Sequence, residues 1–303
     1  MSKPVAWGAA LVAAAILLAA CAAPTRPTGK PIVVATFTVI ADIAANVAGD
    51  RLHVESITKA GAEIHGYEPT PGDIRRAAGA ALVVNNGLGV DAWFDRFTAD
   101  LHAPRVTLSD GVAPVPISSG AYAGKPNPHA WMSPRAAEVY VDNLRRAYTA
   151  IDPAGADQYR ANADSYKARL RAVRDELAAD LRTVPADKRA LVTCEGAFSY
   201  LTRDTGLGEK YIWPVNAEQQ ATPRQMASAI DFVRDRAIPA VFCESTVSNK
   251  PMRQIAKASG ARLAGTLYVD SLSTADGPVP TYLDLIRHDA RTIAAGLTGS
   301  AAR

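Results

Sequence analysis

Apolar positions along the chain fall into two alternating kinds of segment. Short unbroken runs, Ile32-Val-Val-Ala-Thr36 and Ala81-Leu-Val-Val-Asn85, are each followed by a stretch with helical spacing, Ile40 to Val47 and Ala92 to Leu101. A run that is apolar at every position describes a strand covered on both faces. Its alternation with helices describes a parallel sheet with helices packed on either side. The second half repeats the alternation. Leu191 to Cys194 precedes a helix from Phe198, Tyr211 to Val215 precedes Pro223 to Ala237, and Ala240 to Cys243 precedes Pro251 to Ser259. Arg262 to Leu267 and a last helix from Thr281 to Leu297 complete it.

The pattern between the halves is different. Tyr159, Tyr166, Leu170, Val173, Leu177, Leu181 and Val184 recur at spacings of seven, four and three, with charged residues on the remaining faces. Asp152 suits a cap, Pro153 a first helical position, and Pro185 ends the run. The spacing predicts one helix over 152–185, whose 32 or so residues at 1.5 Å each would reach roughly 48 Å. The expected architecture is α/β: two lobes of parallel sheet flanked by helices, residues 32–151 and 186–303, joined by one long spine helix.

The first 21 residues stand apart. Lys3 is followed by an Ala-rich apolar stretch, Val5 to Ala20, too short for a membrane span and fitting a signal peptide. Its end, Leu18-Ala19-Ala20-Cys21, resembles the lipobox of bacterial lipoproteins, which implies cleavage before Cys21 and a lipid on its thiol. Residues 22–31 carry three prolines and read as a tether. An exported, membrane-anchored protein is expected. Export permits a disulfide between Cys194 and Cys243, although two reduced core thiols fit the sequence equally well.

Composition excludes some partners. Of the 303 residues 48% are hydrophobic, enough for a large core, and 33 basic against 30 acidic residues leave +3 with no basic run. Nucleic acid is not an expected partner.

In parallel α/β sheets, ligand chemistry gathers beyond the carboxyl ends of the strands. Four loops carry groups able to act together: Gly61 to Pro69 with His65, Asn127 to Pro134 with His129, Thr193 to Gly196 with Glu195, and Tyr268 to Ser271 with Asp270. Two imidazoles and two carboxylates suit a divalent transition metal. Each residue alone also fits a surface or capping role, and the spacing is too long for a local metal motif.

The strings His65-Gly-Tyr-Glu-Pro-Thr-Pro-Gly-Asp73, Pro128-His129-Ala-Trp-Met-Ser-Pro134, Thr193-Cys-Glu195-Gly-Ala-Phe-Ser-Tyr200 and Glu244-Ser-Thr-Val-Ser-Asn-Lys-Pro251 together carry more than any one of them. In order along residues 32 to 300, with Asn86-Gly87-Leu88 and Asp270-Ser271, they resemble the metal-binding (cluster A-I) substrate-binding lipoproteins of ABC transporters. The resemblance implies two lobes bridged by a rigid helix and a metal held in the cleft by His65, His129, Glu195 and Asp270. It also implies delivery to an ABC permease, a monomer, and no enzymatic reaction. Glu195 stands where manganese and iron members carry Glu and zinc members usually carry His. The stretch Pro114 to Lys125 lacks the His-rich loop frequent in zinc members. Mn²⁺ is therefore the expected cargo, with Fe²⁺ and Zn²⁺ as alternatives, although Zn²⁺ binds such donors more tightly by the Irving–Williams order. Glu244 is expected behind a ligand, as acceptor for an imidazole. Binding is expected to weaken as pH falls through about 6.5, the unperturbed imidazole value.

Other readings are weaker. Gly87-Leu-Gly89-Val-Asp-Ala92 matches a dinucleotide fingerprint with Asp110 beyond it, but Asp91 would oppose a pyrophosphate at the helix start. No nucleophile elbow, His-Glu-x-x-His helix or Walker loop is present. A metalloenzyme on the same four residues, or a siderophore receptor with an aromatic or Arg-lined cleft, are the alternatives. A Cys194 or Cys243 thiolate in the cleft would favour a soft metal. His53, His102 and His288 read as surface residues, and Trp131 as packing for the His129 loop.

Overall fold

In the first sheet Ile32–Ala35 (β1) is flanked by His53–Ser56 (β2) on one side and Leu82–Asn85 (β3) on the other. Arg105–Thr107 (β4) completes a parallel sheet of order β2-β1-β3-β4. This structure, a computed structural model, describes residues 29–98, 103–215 and 221–299. The signal segment, Cys21, all of the tether but its last three residues, and His102 lie outside the described residues. The strands are apolar throughout because both faces are covered. Val33, Ala35, Leu82 and Val84 face the main core, whereas Val34 and Val83 face a smaller cluster with Trp93 and Phe94. The helices of this part are Thr38–Ala48 (α1), Pro71–Ala78 (α2) and Ala92–Thr98 (α3).

In the second half Ala190–Glu195 (β5) pairs in parallel with Gly208–Trp213 (β6), and Ala240–Glu244 (β7) with Arg262–Leu267 (β8). β5 and β7 lie against each other and are joined by a Cys194–Cys243 disulfide, which decides a pairing that the sequence leaves open. Ser199–Thr205 (α6), Pro223–Asp235 (α7), Lys250–Ser259 (α8) and Tyr282–Thr298 (α9) accompany these strands, so the four expected helices each start within a residue of their expected places. β6 begins three residues before the apolar run that announces it. Gly208 to Tyr211 pair with Ala190 to Thr193, and the polar members find partners: Ser199 Oγ donates to the Glu209 carboxylate, and Lys210 Nζ donates to Ser228 Oγ at 2.7 Å.

The spine is shorter than expected and is preceded by a second long helix. Pro134–Ile151 (α4) is not among the expected elements, and Ala156–Leu181 (α5) starts only after a single turn at Pro153–Gly155. Proline cannot donate into the preceding turn, so the chain breaks there. Asp152 does not cap α5. Its carboxylate accepts from Arg51 Nε at 2.6 Å and Nη2 at 2.8 Å, and from Tyr159 Oη at 2.6 Å. The 26 residues of α5 reach about 39 Å. They bury the expected stripe of Tyr159, Tyr166, Leu170, Val173, Leu177 and Leu181. α5 packs on α1 and α4 from the first half and on α9 from the second, so one rod touches both. Among the described residues no helix is long and apolar enough to cross a membrane.

Candidate metal centre

Each of the four donors is held by a different local device. His65 lies in the loop between β2 and α2. Gly61 N donates to Ser271 Oγ at 2.7 Å and to Leu272 O at 3.2 Å, which ties that loop to the Asp270 segment. Glu63 Oε1 accepts from the backbone N–H groups of Ile64 and His65. The loop ends in a capping box, where Thr70 and Asp73 each accept from the other's backbone. His129 sits in a buried corner before α4, whose first turn is capped by Ser133. Asn127 Oδ1 accepts from His129 N at 3.0 Å and lies 2.9 Å from His129 Nδ1. Trp131 fills the corner as expected, fully buried, and its Nε1 donates to Val269 O at 3.0 Å, one residue before Asp270.

Glu195 is the last residue of β5, one place beyond the disulfide. Gly196 then turns the chain so tightly that a Cβ there would lie 2.9 Å from the Tyr211 ring and 3.0 Å from Pro214 O. Asp270 follows β8 by three residues, and Thr246 Oγ1 donates to its Oδ2 at 3.3 Å.

The structure brings all four expected donors together. His65 Nε2 and His129 Nε2 are 3.1 Å apart. Glu195 Oε1 is 3.3 Å from the first and 3.4 Å from the second, and Asp270 Oδ1 is 3.8 and 3.9 Å from them. Four donors at about 2.1 Å from a common centre are separated by roughly 3.4 Å in a tetrahedron and 3.0 Å between octahedral neighbours, so this spacing suits an ion at the centre. The side chains of His129, Glu195 and Asp270 are fully buried, and that of His65 is 6% exposed.

Burial dominates the electrostatics. It holds the His129 imidazole down at about 3 and that of His65 well below its usual value, the latter helped by its neighbour His129. Burial also pushes Asp270 well above the carboxylate range, with Glu195, Glu63 and Glu244 adding to the rise. Neutral imidazoles beside crowded acids form a pocket whose charge a divalent cation offsets. With both imidazoles held neutral by burial, proton competition is expected to fall on the carboxyl groups rather than on imidazole near 6.5.

The expected role of Glu244 also changes. Among the described residues no imidazole donates to it. Its Oε2 accepts from Glu195 N at 3.1 Å, and burial together with Glu195 raises its pKa well above the usual range. The residue that meets the His129 ring is Asn127, which has no expected role because an amide two places before a His carries no signature of its own. The Cys194 and Cys243 sulfurs are bonded to each other and supply no thiolate. Asp91 occupies the place a pyrophosphate would need, accepting from Thr36 Oγ1, Asn86 N and Gly87 N. His53 is exposed as expected, whereas His288 is half-buried, with its ring against Tyr268 and Nε2 near Thr266 O at 3.1 Å.

A chamber of about 430 Å³ adjoins His65. A hairpin closed at Pro116 and Pro126 supplies Ile117, Tyr122 and Lys125 to its wall, opposite Leu88, Val90 and Val215.

These features define a metal-binding receptor with parallel α/β halves on a single spine helix, and comparison with known proteins agrees. The family model described as the periplasmic component A of a zinc-uptake complex matches residues 33–296. The iron-binding protein YfeA of Yersinia pestis is 49% identical over 274 residues, covering 90% of this chain and 88% of that protein. The manganese ABC transporter substrate-binding lipoprotein PsaA of Streptococcus pneumoniae is 30% identical over 298 residues, covering 95% and 96%. A Mn-bound periplasmic metal-binding protein from Candidatus Liberibacter asiaticus superposes with a TM-score of 0.83 at 37% identity, covering 88% of this chain and all of that one. The chain belongs to this family of metal-binding substrate receptors of ABC transporters.

Proposed function

We propose that the protein captures a divalent transition metal between His65, His129, Glu195 and Asp270 outside the cytoplasmic membrane and delivers it to a cognate ABC permease. The convergence of four donor atoms from four separate loops, all within 4.8 Å of one another, carries this reading. Mn²⁺ is the favoured cargo and Fe²⁺ the next. Two carboxylates are able to bind through one or both oxygens and raise the coordination number, which suits harder ions, while Zn²⁺ accepts the same donors tetrahedrally. Relatives are named for iron and for manganese, and the family model for zinc uptake, so the order rests on the donor chemistry. The protein works as a monomer of two lobes, residues 32–151 and 186–303, held by the central rod. Its lipid anchor is on Cys21, and it carries out no reaction.

Thermal unfolding of chelator-stripped protein with Mn²⁺, Fe²⁺ or Zn²⁺ added singly tests the reading. An ion that binds only the folded form adds about 2.7 kcal/mol at a hundred times its dissociation constant. A shift with Mn²⁺ is expected and is lost in Glu195→Ala. A shift with Zn²⁺ alone would move the cargo to zinc, and no shift with any ion would overturn the site.

A further inference from the structure

Asn127 is buried between the two halves of the cleft, and its amide orientation is over-determined. Its Oδ1 faces the His129 backbone N–H at 3.0 Å, a group that only donates. Its Nδ2 faces Gly196 O at 2.6 Å, a group that only accepts, and also lies 3.2 Å from Ser199 Oγ. The oxygen is thus fixed toward His129. The same oxygen lies 2.9 Å from the ring Nδ1, so that nitrogen must carry the hydrogen. His129 Nε2 is then left as a bare lone pair aimed at the centre of the four donors. Tyr200 Oη donates to the Asn127 backbone O at 2.7 Å and holds the residue from the other side.

We propose that Asn127 is the positioning residue of the metal site: one carboxamide fixes the Nδ1–H tautomer of His129 and ties that imidazole, across the cleft, to the Gly196 turn that carries Glu195. The inference rests on the proposed role of His129 and Glu195 as donors. It has a consequence for His65. With His129 Nε2 bare and only 3.1 Å away, the facing His65 Nε2 is the nitrogen that carries a hydrogen in the metal-free protein. Loading requires that hydrogen to leave His65 Nε2 for solvent while Nδ1 takes one up, so the ring stays neutral, whereas His129 needs no change. One imidazole is set in advance and the other adjusts.

The test combines metal titration with ¹⁵N spectroscopy of the imidazoles in wild-type, Asn127→Ala and Asn127→Asp protein. Metal-free wild type is expected to show His129 protonated at Nδ1 and His65 at Nε2, and with Zn²⁺ as a diamagnetic probe both are expected at Nδ1. Asn127→Ala is expected to mix the His129 tautomers and weaken binding by about 10- to 100-fold, the usual range for a partner behind a ligand. Asn127→Asp keeps an acceptor for Nδ1–H but sets a carboxylate oxygen against Gly196 O. It is expected to retain the tautomer signature while still binding more weakly than wild type. Metal-free wild type with His129 protonated at Nε2, or an Asn127→Ala protein that binds as wild type does, would overturn the assignment. Should Asn127→Ala fail to fold, the wild-type tautomer and Asn127→Asp still decide it. If wild type binds no ion at all, the functional proposal fails, and the metal-free ¹⁵N signature still reports separately on Asn127.

Discussion

His129 and His65 present the same atom to the same point, yet the chain holds them by unlike means. His129 is wholly buried, with Asn127 behind its ring and Trp131 beside it at a centroid distance of 5.1 Å. His65 sits at the rim of the chamber, and its Nδ1 makes no hydrogen bond among the described residues. Its loop is fastened at a distance, through Gly61 and Ser271 and through the Thr70 capping box. Identical chemistry therefore serves two purposes: a fixed wall that sets the shape of the site, and a compliant wall that completes it around an ion.

Removing the donors gives the largest effects and breaks the comparison first. His129→Ala and His65→Ala should each weaken metal binding by more than about 100-fold, beyond what a supporting partner alone costs. They should differ in the stability of the metal-free fold. Deleting the His129 ring leaves a buried cavity, a loss of about 2–4 kcal/mol. Deleting the His65 ring at the chamber edge should cost under about 1 kcal/mol. Calorimetric titration and denaturant unfolding measure the two quantities, and equal stability losses would contradict the assignment of fixed and compliant walls.

The response to pH comes next. Both imidazoles are held low by burial and stay neutral through mildly acidic conditions, so they do not compete with metal there. Asp270 is raised, so its carboxyl binds a proton in the metal-free pocket over a range where a free carboxylate would not. Metal must displace that proton. Affinity should therefore fall on acidification, by up to about tenfold per pH unit for one displaced proton, and binding should release protons into weakly buffered solution. A single step at the ordinary imidazole value would place the competing proton on His65 or His129 instead. The fold itself shows the opposite sign. Asp42 and Asp91 rise to about 6 on burial, so the folded chain holds more protons than the unfolded one. Stability of the metal-free protein should decline as pH rises from about 4 through about 6, as thermal unfolding across that range would register.

The smallest expected effect isolates the loop fastening. Ser271→Ala removes the acceptor of Gly61 N and a partner of Thr38 Oγ1, 3.3 Å away, without touching a donor. A loss of about 1 kcal/mol in holding the His65 loop corresponds to about a fivefold weaker site. The His129 corner should be unaffected, which its ¹⁵N signature would show.

The strands of both halves and the rod between them are legible in the order of residues alone. The spine stripe from Tyr159 to Leu181 is buried as its spacing requires, because a helix between two lobes has only one way to hide six apolar residues. The break at Asp152 is not legible, since a residue that suits a helix start equally suits a carboxylate for Arg51. α4 has its own signal in Ser133-Pro134, a capping residue followed by proline, but its stripe mixes small alanines with Tyr140 and Tyr148 and is faint. Strand-end position singles out the four donors, and only family likeness joins them into one site, because gaps of 64, 66 and 75 residues contain no local geometry. Asn127 leaves no trace in the sequence because its role lies in hydrogen bonds made across the cleft. Glu244 is equally opaque, because only the packing of β5 beside β7 shows which backbone it meets.

The chamber beside His65 bears on a problem that donor chemistry does not address. Its walls are largely hydrocarbon, from Leu88, Val90, Ile117, Pro126, Pro128 and Val215, with Lys125 as its one cationic side chain among the described residues. An ion that reaches the four donors by this route gives up its hydration shell to a surface with little to offer in exchange. Mg²⁺, which dehydrates reluctantly and demands a near-ideal octahedron, is hindered most by that passage. An ion taking this route would then meet a desolvation step, hardest for Mg²⁺, before any imidazole or carboxylate is touched.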